Sequence, residues 1–215
     1  DGEHLFAIGA DELLAGPPAV IFDCRFSLAD PGEGRAQYLR GHIPGAHYLD
    51  LERDLSGPVG EHGGRHPLPD AGAFAARLAE LGVGPDTEVV AYDDSRFAFA
   101  ARLWWLMRSL GYRPPRLLDG GYAAFLAAGG EPETTETSPE AVAPPQVEGF
   151  TGYCDFYHLR GAHARMALLV DSREERRYQG LEEPIDPVAG HIPGAVNRPW
   201  QGVTSAQGTA LDQAG

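Results

Sequence analysis

The 215-residue chain carries 17 basic and 31 acidic residues, a formal net charge of −14, with no run of lysine or arginine. Such a field repels nucleic acid and anionic membrane surfaces, so an anionic small molecule needs a local arginine cluster to bind. No apolar run approaches the roughly 20 residues that span a bilayer, and the N-terminus lacks the basic-then-apolar layout of a signal peptide, so a cytoplasmic protein is expected.

In chain order, Val20-Ile21-Phe22 reads as a short buried strand that runs into Asp23-Cys24-Arg25. The glycine- and proline-marked loop Gly41-His42-Ile43-Pro44-Gly45-Ala46 follows. Asp70 is the expected N-cap of a helix whose Phe74, Leu78 and Leu81 recur at three- and four-residue spacing, with Gly82 as its stop. Glu88–Tyr92 is a second buried strand, feeding the loop Asp93-Asp94-Ser95-Arg96 and a helix from Phe97 to Leu110 that ends at Gly111. Trp104 and Trp105 sit mid-helix among Leu103, Leu106 and Met107 and are read as core and domain-interface residues. Arg116-Leu117-Leu118 is the third strand. This alternation predicts an α/β domain, a parallel sheet with helices on both faces.

From Glu131 to Glu148 the chain has four prolines, five glutamates and no basic residue, so 131–149 is expected to be an extended acidic linker. Beyond it, Asp155 is placed as the cap of a short helix through Leu159, and Ala167–Val170 as a strand. The stretch from Val203 to Gly215 reads as loop.

One pattern is written twice. Asp23-x-Arg25 and Gly41-His42-Ile43-Pro44-Gly45-Ala46 return as Asp171-x-Arg173 and Gly190-His191-Ile192-Pro193-Gly194-Ala195, at offsets of 171 − 23 = 148 and 190 − 41 = 149. A repeat this long indicates duplicated domains, at 1–130 and 150–215, and not a solenoid. The second has 66 residues from Phe150 onward, about half of the first, and is expected to be incomplete in this chain.

In open parallel sheets, ligands bind beyond the carboxyl ends of strands, where a loop feeds a helix N-terminus. Here that place begins with Asp93. Capping of free N–H groups is the favoured role, because no histidine or second acid at suitable spacing completes a general acid–base pair. Asp23 with Arg25, and Asp171 with Arg173, recur in both copies and are read as structural ion pairs. His42 and His191 are read as ring nitrogens tying down backbone in a tight loop. His62 and His66 have a zinc-like spacing, but Gly63 and Gly64 between them favour a turn, and no metal site is expected. Cys24 lies on a strand as a small apolar residue, and a disulfide with Cys154 is not expected. No nucleotide-binding motif occurs, so no cofactor is expected.

Taken together, Asp-x-Arg, Gly-His-Ile-Pro-Gly-Ala, Gly64-Arg65-His66-Pro67-Leu68-Pro69, Ala101-Arg102-Leu103-Trp104-Trp105, Leu118-Asp119-Gly120-Gly121, Glu183-Pro184 and Asn197-Arg198-Pro199-Trp200 resemble the tandem-domain rhodanese-like sulfurtransferases. These are the thiosulfate and 3-mercaptopyruvate sulfurtransferases. The resemblance implies two rhodanese-like domains, the first without a nucleophile, with Asp93 standing where a cysteine would be. It implies a catalytic cysteine in the equivalent loop of the second domain; projecting Asp93 by the 149-residue offset places it near position 242 or later, so residues 1–215 hold none. That cysteine would carry sulfane sulfur as a persulfide from thiosulfate or 3-mercaptopyruvate to cyanide or a thiol. Arg177 matches the family's substrate-binding arginine, with surface pairing to Glu174, Glu175 or Glu182 as the alternative. Gln179–Ala189 lacks the second arginine that mercaptopyruvate enzymes often carry, which leans toward thiosulfate, with Arg198 as a stand-in. The implied partners are a small anionic sulfur donor and a thiol or cyanide acceptor, with no nucleic acid, no membrane, no cofactor, and a monomeric state. The rival reading is a non-catalytic rhodanese-like binding or regulatory module; a phosphatase on the same fold needs a Cys-x5-Arg that does not occur.

Overall fold

The computed structural model describes residues 6–18, 20–161 and 167–211. The ends of the expected domain ranges, 1–5 and 212–215, lie outside them. The chain divides into two compact units, Asp1–Tyr153 and Cys154–Gly215.

Unit 1 is built on five parallel strands: β1 (Ala7–Ile8), β2 (Val20–Asp23), β3 (Ala46–Tyr48), β4 (Val89–Tyr92) and β5 (Arg116–Leu118), in the order β1-β5-β4-β2-β3. Four helices connect them, α1 (Ala10–Ala15), α2 (Glu33–Arg40), α3 (Ala71–Glu80) and α4 (Ala100–Ser109), and α5 (Gly121–Ala127) follows β5. Because side chains alternate along a strand, the sheet feeds two cores. Val20, Phe22, Val89 and Ala91 pack with Phe74 and Leu78 of α3 and Leu103 and Leu106 of α4. Ile21, Val90 and Tyr92 pack with Leu13 of α1 and Phe125 of α5. Trp104 and Trp105 are partly buried against the first core.

Local signals hold where they are strong. The Asp70 carboxylate accepts the Ala73 N–H at 2.8 Å, and Gly82, at φ +87°, follows the last turn of α3. The strand expected from Glu88 begins at Val89. The helix expected from Phe97 begins only at Ala100, because Arg96 (φ 58°) and Phe97 (φ 69°) both take left-handed backbone.

The segment expected to be an extended acidic linker over 131–149 forms no helix or named strand, yet it packs on unit 1, which runs on to Tyr153. The N–H groups of His42 and Glu133 each donate to the other's carbonyl at 2.9 Å. The Val142 N–H reaches the Ala79 carbonyl, Val147 and Phe150 close the first core, and the Thr151 N–H donates to the Ser109 carbonyl. Composition missed this because most of the attachment is made by backbone groups, which carry no residue signature.

Unit 2 contains α6 (Phe156–Arg160), β6 (Val170–Asp171), α7 (Glu175–Tyr178), β7 (Val196–Asn197) and a 3₁₀ turn at Trp200–Val203. Asp155 caps α6 by accepting the His158 N–H at 2.8 Å. The strand expected over Ala167–Val170 is shorter and shifted, to Val170–Asp171. β6 and β7 pair Asp171 with Asn197, as β2 and β3 pair Asp23 with Tyr48, so the repeat extends to strand register. β2 lies between β3 and β4, whereas β6 pairs only with β7 among the described residues. Val170 is accordingly 51% exposed, while every residue of β2 is buried. No helix of the described residues is long and apolar enough to cross a membrane.

Candidate functional site

The duplicated motif folds into the same frame twice. In unit 1 the Arg25 Nε lies 3.1 Å from both Asp23 oxygens, and its Nη2 donates to Asp23 Oδ2 at 2.6 Å and to the Gly41 carbonyl at 2.7 Å. In unit 2 the Arg173 Nε lies 3.1 and 3.2 Å from Asp171, and its Nη2 reaches Asp171 Oδ2 at 2.7 Å and the Gly190 carbonyl at 2.5 Å. The aspartate thus holds the arginine, and the arginine holds the first residue of the Gly-His-Ile-Pro-Gly turn. In unit 1 Tyr92 also donates to Asp23 at 2.9 Å, and the Arg25 guanidinium lies 4.1 Å over the Tyr122 ring.

Each histidine of the repeat stacks flat on a tyrosine that the sequence reading did not single out. His42 lies 3.8 Å from the Tyr38 ring and its Nδ1 2.7 Å from the Tyr38 carbonyl; for His191 and Tyr178 the values are 3.7 and 2.6 Å. Tyr38 and Tyr178 donate in turn to the carbonyls of Ala46 and Ala195 at 2.8 and 2.7 Å. Spacing hid this match. Arg25 to Tyr38 spans 13 positions and Arg173 to Tyr178 only five, whereas Tyr38 to His42 spans four and Tyr178 to His191 spans 13. A shortened loop before the helix and a lengthened one after it nearly cancel, and the lengthened loop, 179–189, carries Glu182, Glu183 and Asp186.

The loop after β4 is a closed anion cradle. Asp93 Oδ1 accepts the N–H groups of Ser95 at 3.0 Å and Phe97 at 3.2 Å, and Oδ2 those of Phe99 at 3.0 Å and Ala100 at 2.9 Å. The carboxylate is 2% exposed. Burial pushes its pKa up from the ordinary aspartate range, and the four N–H donors oppose that rise. Asp93 therefore sits in the seat that such a loop offers an anion.

Of the expected substrate arginines, Arg177 is drawn into unit 2. Its Nη2 donates to Glu183 Oε1 at 2.8 Å and Asp186 Oδ2 at 2.7 Å, and its Nε lies 3.4 Å from Glu183 Oε2. The expected alternative partners, Glu174, Glu175 and Glu182, are not these; Glu182 pairs with Arg176 at 2.7 Å. Glu183 also accepts the N–H groups of Ile185 and Asp186, and receives Arg173 Nη1 at 3.4 Å. The N–H of Asp186, followed by the Arg177 guanidinium, holds the Glu183 carboxyl down at about 2. Arg198 is exposed and donates to the Asn197 carbonyl at 3.1 Å, and it shares no partner with Arg177 among the described hydrogen bonds.

Two motifs distant in sequence meet at Arg102, whose Nη2 donates to the carbonyls of Leu55, His66 and Pro67 at 3.0 to 3.1 Å. His66 faces Glu52 at 3.6 Å, and Gly63 and Gly64 adopt positive φ, as the turn reading requires. Among the described residues no three His, Cys, Asp or Glu side chains converge as metal ligands. Both cysteines are free thiols. Cys24 is buried, and burial pushes its thiol well above the ordinary range, whereas Cys154 is exposed. An aromatic disulfide reagent is therefore expected to titrate one thiol of the native chain at neutral pH and the second only after unfolding. Two fast thiols would contradict the buried position of Cys24.

Residues 9–128 match the family model of the rhodanese-like domain. A Pseudomonas aeruginosa relative, provisionally named a 3-mercaptopyruvate sulfurtransferase, is 46% identical over 188 residues, covering 85% of this chain and 65% of its own. The thiosulfate sulfurtransferase of Bos taurus is 33% identical, covering 90% of this chain and 66% of its own. The solved 3-mercaptopyruvate sulfurtransferase from Leishmania major superposes with a TM-score of 0.84 at 29% identity, covering 96% of this chain and 58% of its own. The chain thus spans about two thirds or less of the length of these relatives.

Proposed function

The chain belongs to the rhodanese family, and from that premise we propose that it acts in sulfur transfer, moving a sulfane sulfur from thiosulfate or 3-mercaptopyruvate to cyanide or a thiol through a cysteine outside residues 1–215. The single observation that carries the reading is the asymmetry between the two copies of one frame. In unit 1 the anion cradle is filled by the protein's own Asp93, while unit 2 repeats the Asp-Arg and Tyr-His supports and adds Arg177. The names of the similar proteins, which include both donors, support the same chemistry. We take the units as tandem rhodanese-like domains, the first serving structure.

The loop chemistry follows from unit 1. Four N–H groups that stabilise a carboxylate at the start of a helix would equally stabilise a thiolate or a persulfide in an equivalent loop. The thiolate attacks the outer sulfur of thiosulfate, whose S–S bond breaks to release sulfite, or the thiol sulfur of 3-mercaptopyruvate, whose C–S bond breaks to give the enolate of pyruvate, which takes up the proton of that thiol. Cyanide or a thiolate then attacks the outer persulfide sulfur and returns the cysteine thiolate. An arginine beside the site supplies charge-assisted hydrogen bonds to the donor's sulfonate or carboxylate.

Full-length protein supplied with cyanide and either donor is expected to form thiocyanate, and Arg177→Gln to raise the donor KM about tenfold or more, the loss of one charged hydrogen-bond partner. Absence of thiocyanate with both donors would reject the reading in favour of a binding module.

A further inference from the structure

His42 is fully buried, and both of its ring nitrogens face backbone carbonyl oxygens: Nδ1 lies 2.7 Å from that of Tyr38 and Nε2 3.0 Å from that of Thr135. A carbonyl oxygen only accepts, so each nitrogen needs a hydrogen to bond it. A neutral imidazole has one N–H and one lone pair, and in this seat it would leave a buried lone pair against a carbonyl oxygen. The imidazolium satisfies both contacts. Its charge is met by Glu133, whose Oε1 is 3.7 Å from Nε2, and by the Tyr38 ring, stacked 3.8 Å away.

The second copy presents the same ring without the second carbonyl. His191 is exposed, keeps Nδ1 at 2.6 Å from the Tyr178 carbonyl, and has no carbonyl on Nε2 among the described hydrogen bonds. One N–H serves it. In unit 1 the difference is made by residues 133–137, which lie over the His42 ring. Besides Thr135, this segment is held by the paired backbones of His42 and Glu133, by the Gly45 N–H donating to Glu133 Oε1 at 2.8 Å, and by the ion pair of Arg35 with Glu136. The Thr137 N–H lies 3.4 Å from the Tyr38 hydroxyl oxygen.

We propose that His42 is a proton-dependent clamp: as the doubly protonated imidazolium it holds residues 133–137 on unit 1, and loss of one proton loosens them. The remaining hydrogen stays on Nδ1, whose carbonyl is nearer and only four residues away, as in His191; Thr135 loses its donor. Because the seated segment selects the protonated ring, its attachment is complete at low pH and is lost as pH rises through the titration of the ring. The other charged groups around the clamp are already paired: Arg25 with Asp23 behind Gly41, and Arg35 with Glu136 and Arg40 with Glu33 on α2. Burial pushes Tyr38 and Tyr92 above the ordinary tyrosine range, so neither changes charge near neutral pH. His47, which hydrogen-bonds the Thr137 backbone, is pushed down by burial and by Arg77, so it takes up a proton only below the ordinary histidine range.

The test uses the full chain, labelled with nitrogen-15 at histidine and titrated upward from about pH 5.5 until the His42 ring loses a proton. Long-range proton–nitrogen spectra are expected to show both His42 ring nitrogens carrying hydrogens at the start, and Nε2 giving up its own. Over the same pH interval the backbone amides of Glu133 and Thr137, corrected for intrinsic exchange, are expected to lose about tenfold or more of their protection, the loss of one charged hydrogen bond. Glu133→Gln keeps an oxygen for the Gly45 N–H and removes the countercharge from a half-exposed side chain. It is expected to move the ring transition and the amide transition together to lower pH. Amides that stay protected as the ring loses its proton overturn the proposal, because the segment then does not depend on the second hydrogen. A seated segment over a singly protonated ring overturns it as well, and so does Glu133→Gln that leaves both transitions in place or moves one without the other.

Discussion

Replacing Arg25 with alanine is expected to destabilise unit 1 by about 3–5 kcal/mol, the cost of leaving a buried charge without its partner. The Asp23 side chain is fully buried and that of Arg25 is 4% exposed. Removing the guanidinium takes from Asp23 its only basic partner among the described ion pairs, takes the Gly41 carbonyl's donor, and empties the space over the Tyr122 ring. A domain of ordinary stability has about 5–15 kcal/mol to lose, so the variant is expected to unfold at a much lower urea concentration. Arg25→Lys loses the fork that bonds Asp23 and Gly41 at once, and is expected to fall in between. Replacing both Asp23 and Arg25 with apolar residues of similar volume should recover much of the loss, because no charge is then left unpaired. The same change in unit 2, Arg173→Ala, should cost less, since Arg173 is 28% and Asp171 13% exposed and water screens the orphaned carboxylate. An unfolding free energy from urea titration for Arg25→Ala within about 1 kcal/mol of wild type would show that the pair is dispensable.

Replacing Asp93 with alanine is expected to have the second largest effect, about 3–4 kcal/mol. Four N–H groups, of Ser95, Phe97, Phe99 and Ala100, lose their acceptor together, and each unpaired buried donor costs about 1–3 kcal/mol before the loop relaxes. The left-handed backbone at Arg96 and Phe97 is held in place by those bonds, so relaxation also releases its strain. Asp93→Asn retains one carbonyl oxygen and should lose roughly half as much. Calorimetry is the measurement, with a Tm about 10 °C lower for the alanine variant in a unit of this size. A shift of only one or two degrees would mean that water replaces the carboxylate in the cradle. In that case unit 1 would hold an anion site open to solvent, contrary to the buried position of Asp93.

Much of unit 1 is legible from local pattern. β5 falls where Leu117 and Leu118 place it, Asp70 and Gly82 act at the ends of α3 as capping chemistry predicts, and in unit 2 Asp155 does the same for α6. The Asp-Arg pairs are legible for another reason: their recurrence in both copies marks them as partners before any distance is known. β1, α1 and α2 are too short or too polar for periodicity to mark them. α4 starts three residues late because the Asp93 carboxylate organises the preceding backbone, a tertiary effect that overrides helix propensity.

The sequence by itself determined the recurrence of the motif, the α/β class and the identity of the residues in the Asp-Arg and Gly-His-Ile-Pro-Gly frame, because each is encoded by short-range spacing that survives in the linear order. The tertiary structure alone decided that Tyr38 and Tyr178 are equivalent, that 131–149 belongs to unit 1, and that Arg177 answers to Asp186. The physical reason is common to all three. Compensating changes in loop length, backbone hydrogen bonds between distant segments and the facing of two charges across a loop depend on where the chain folds back, and no local residue pattern records that position.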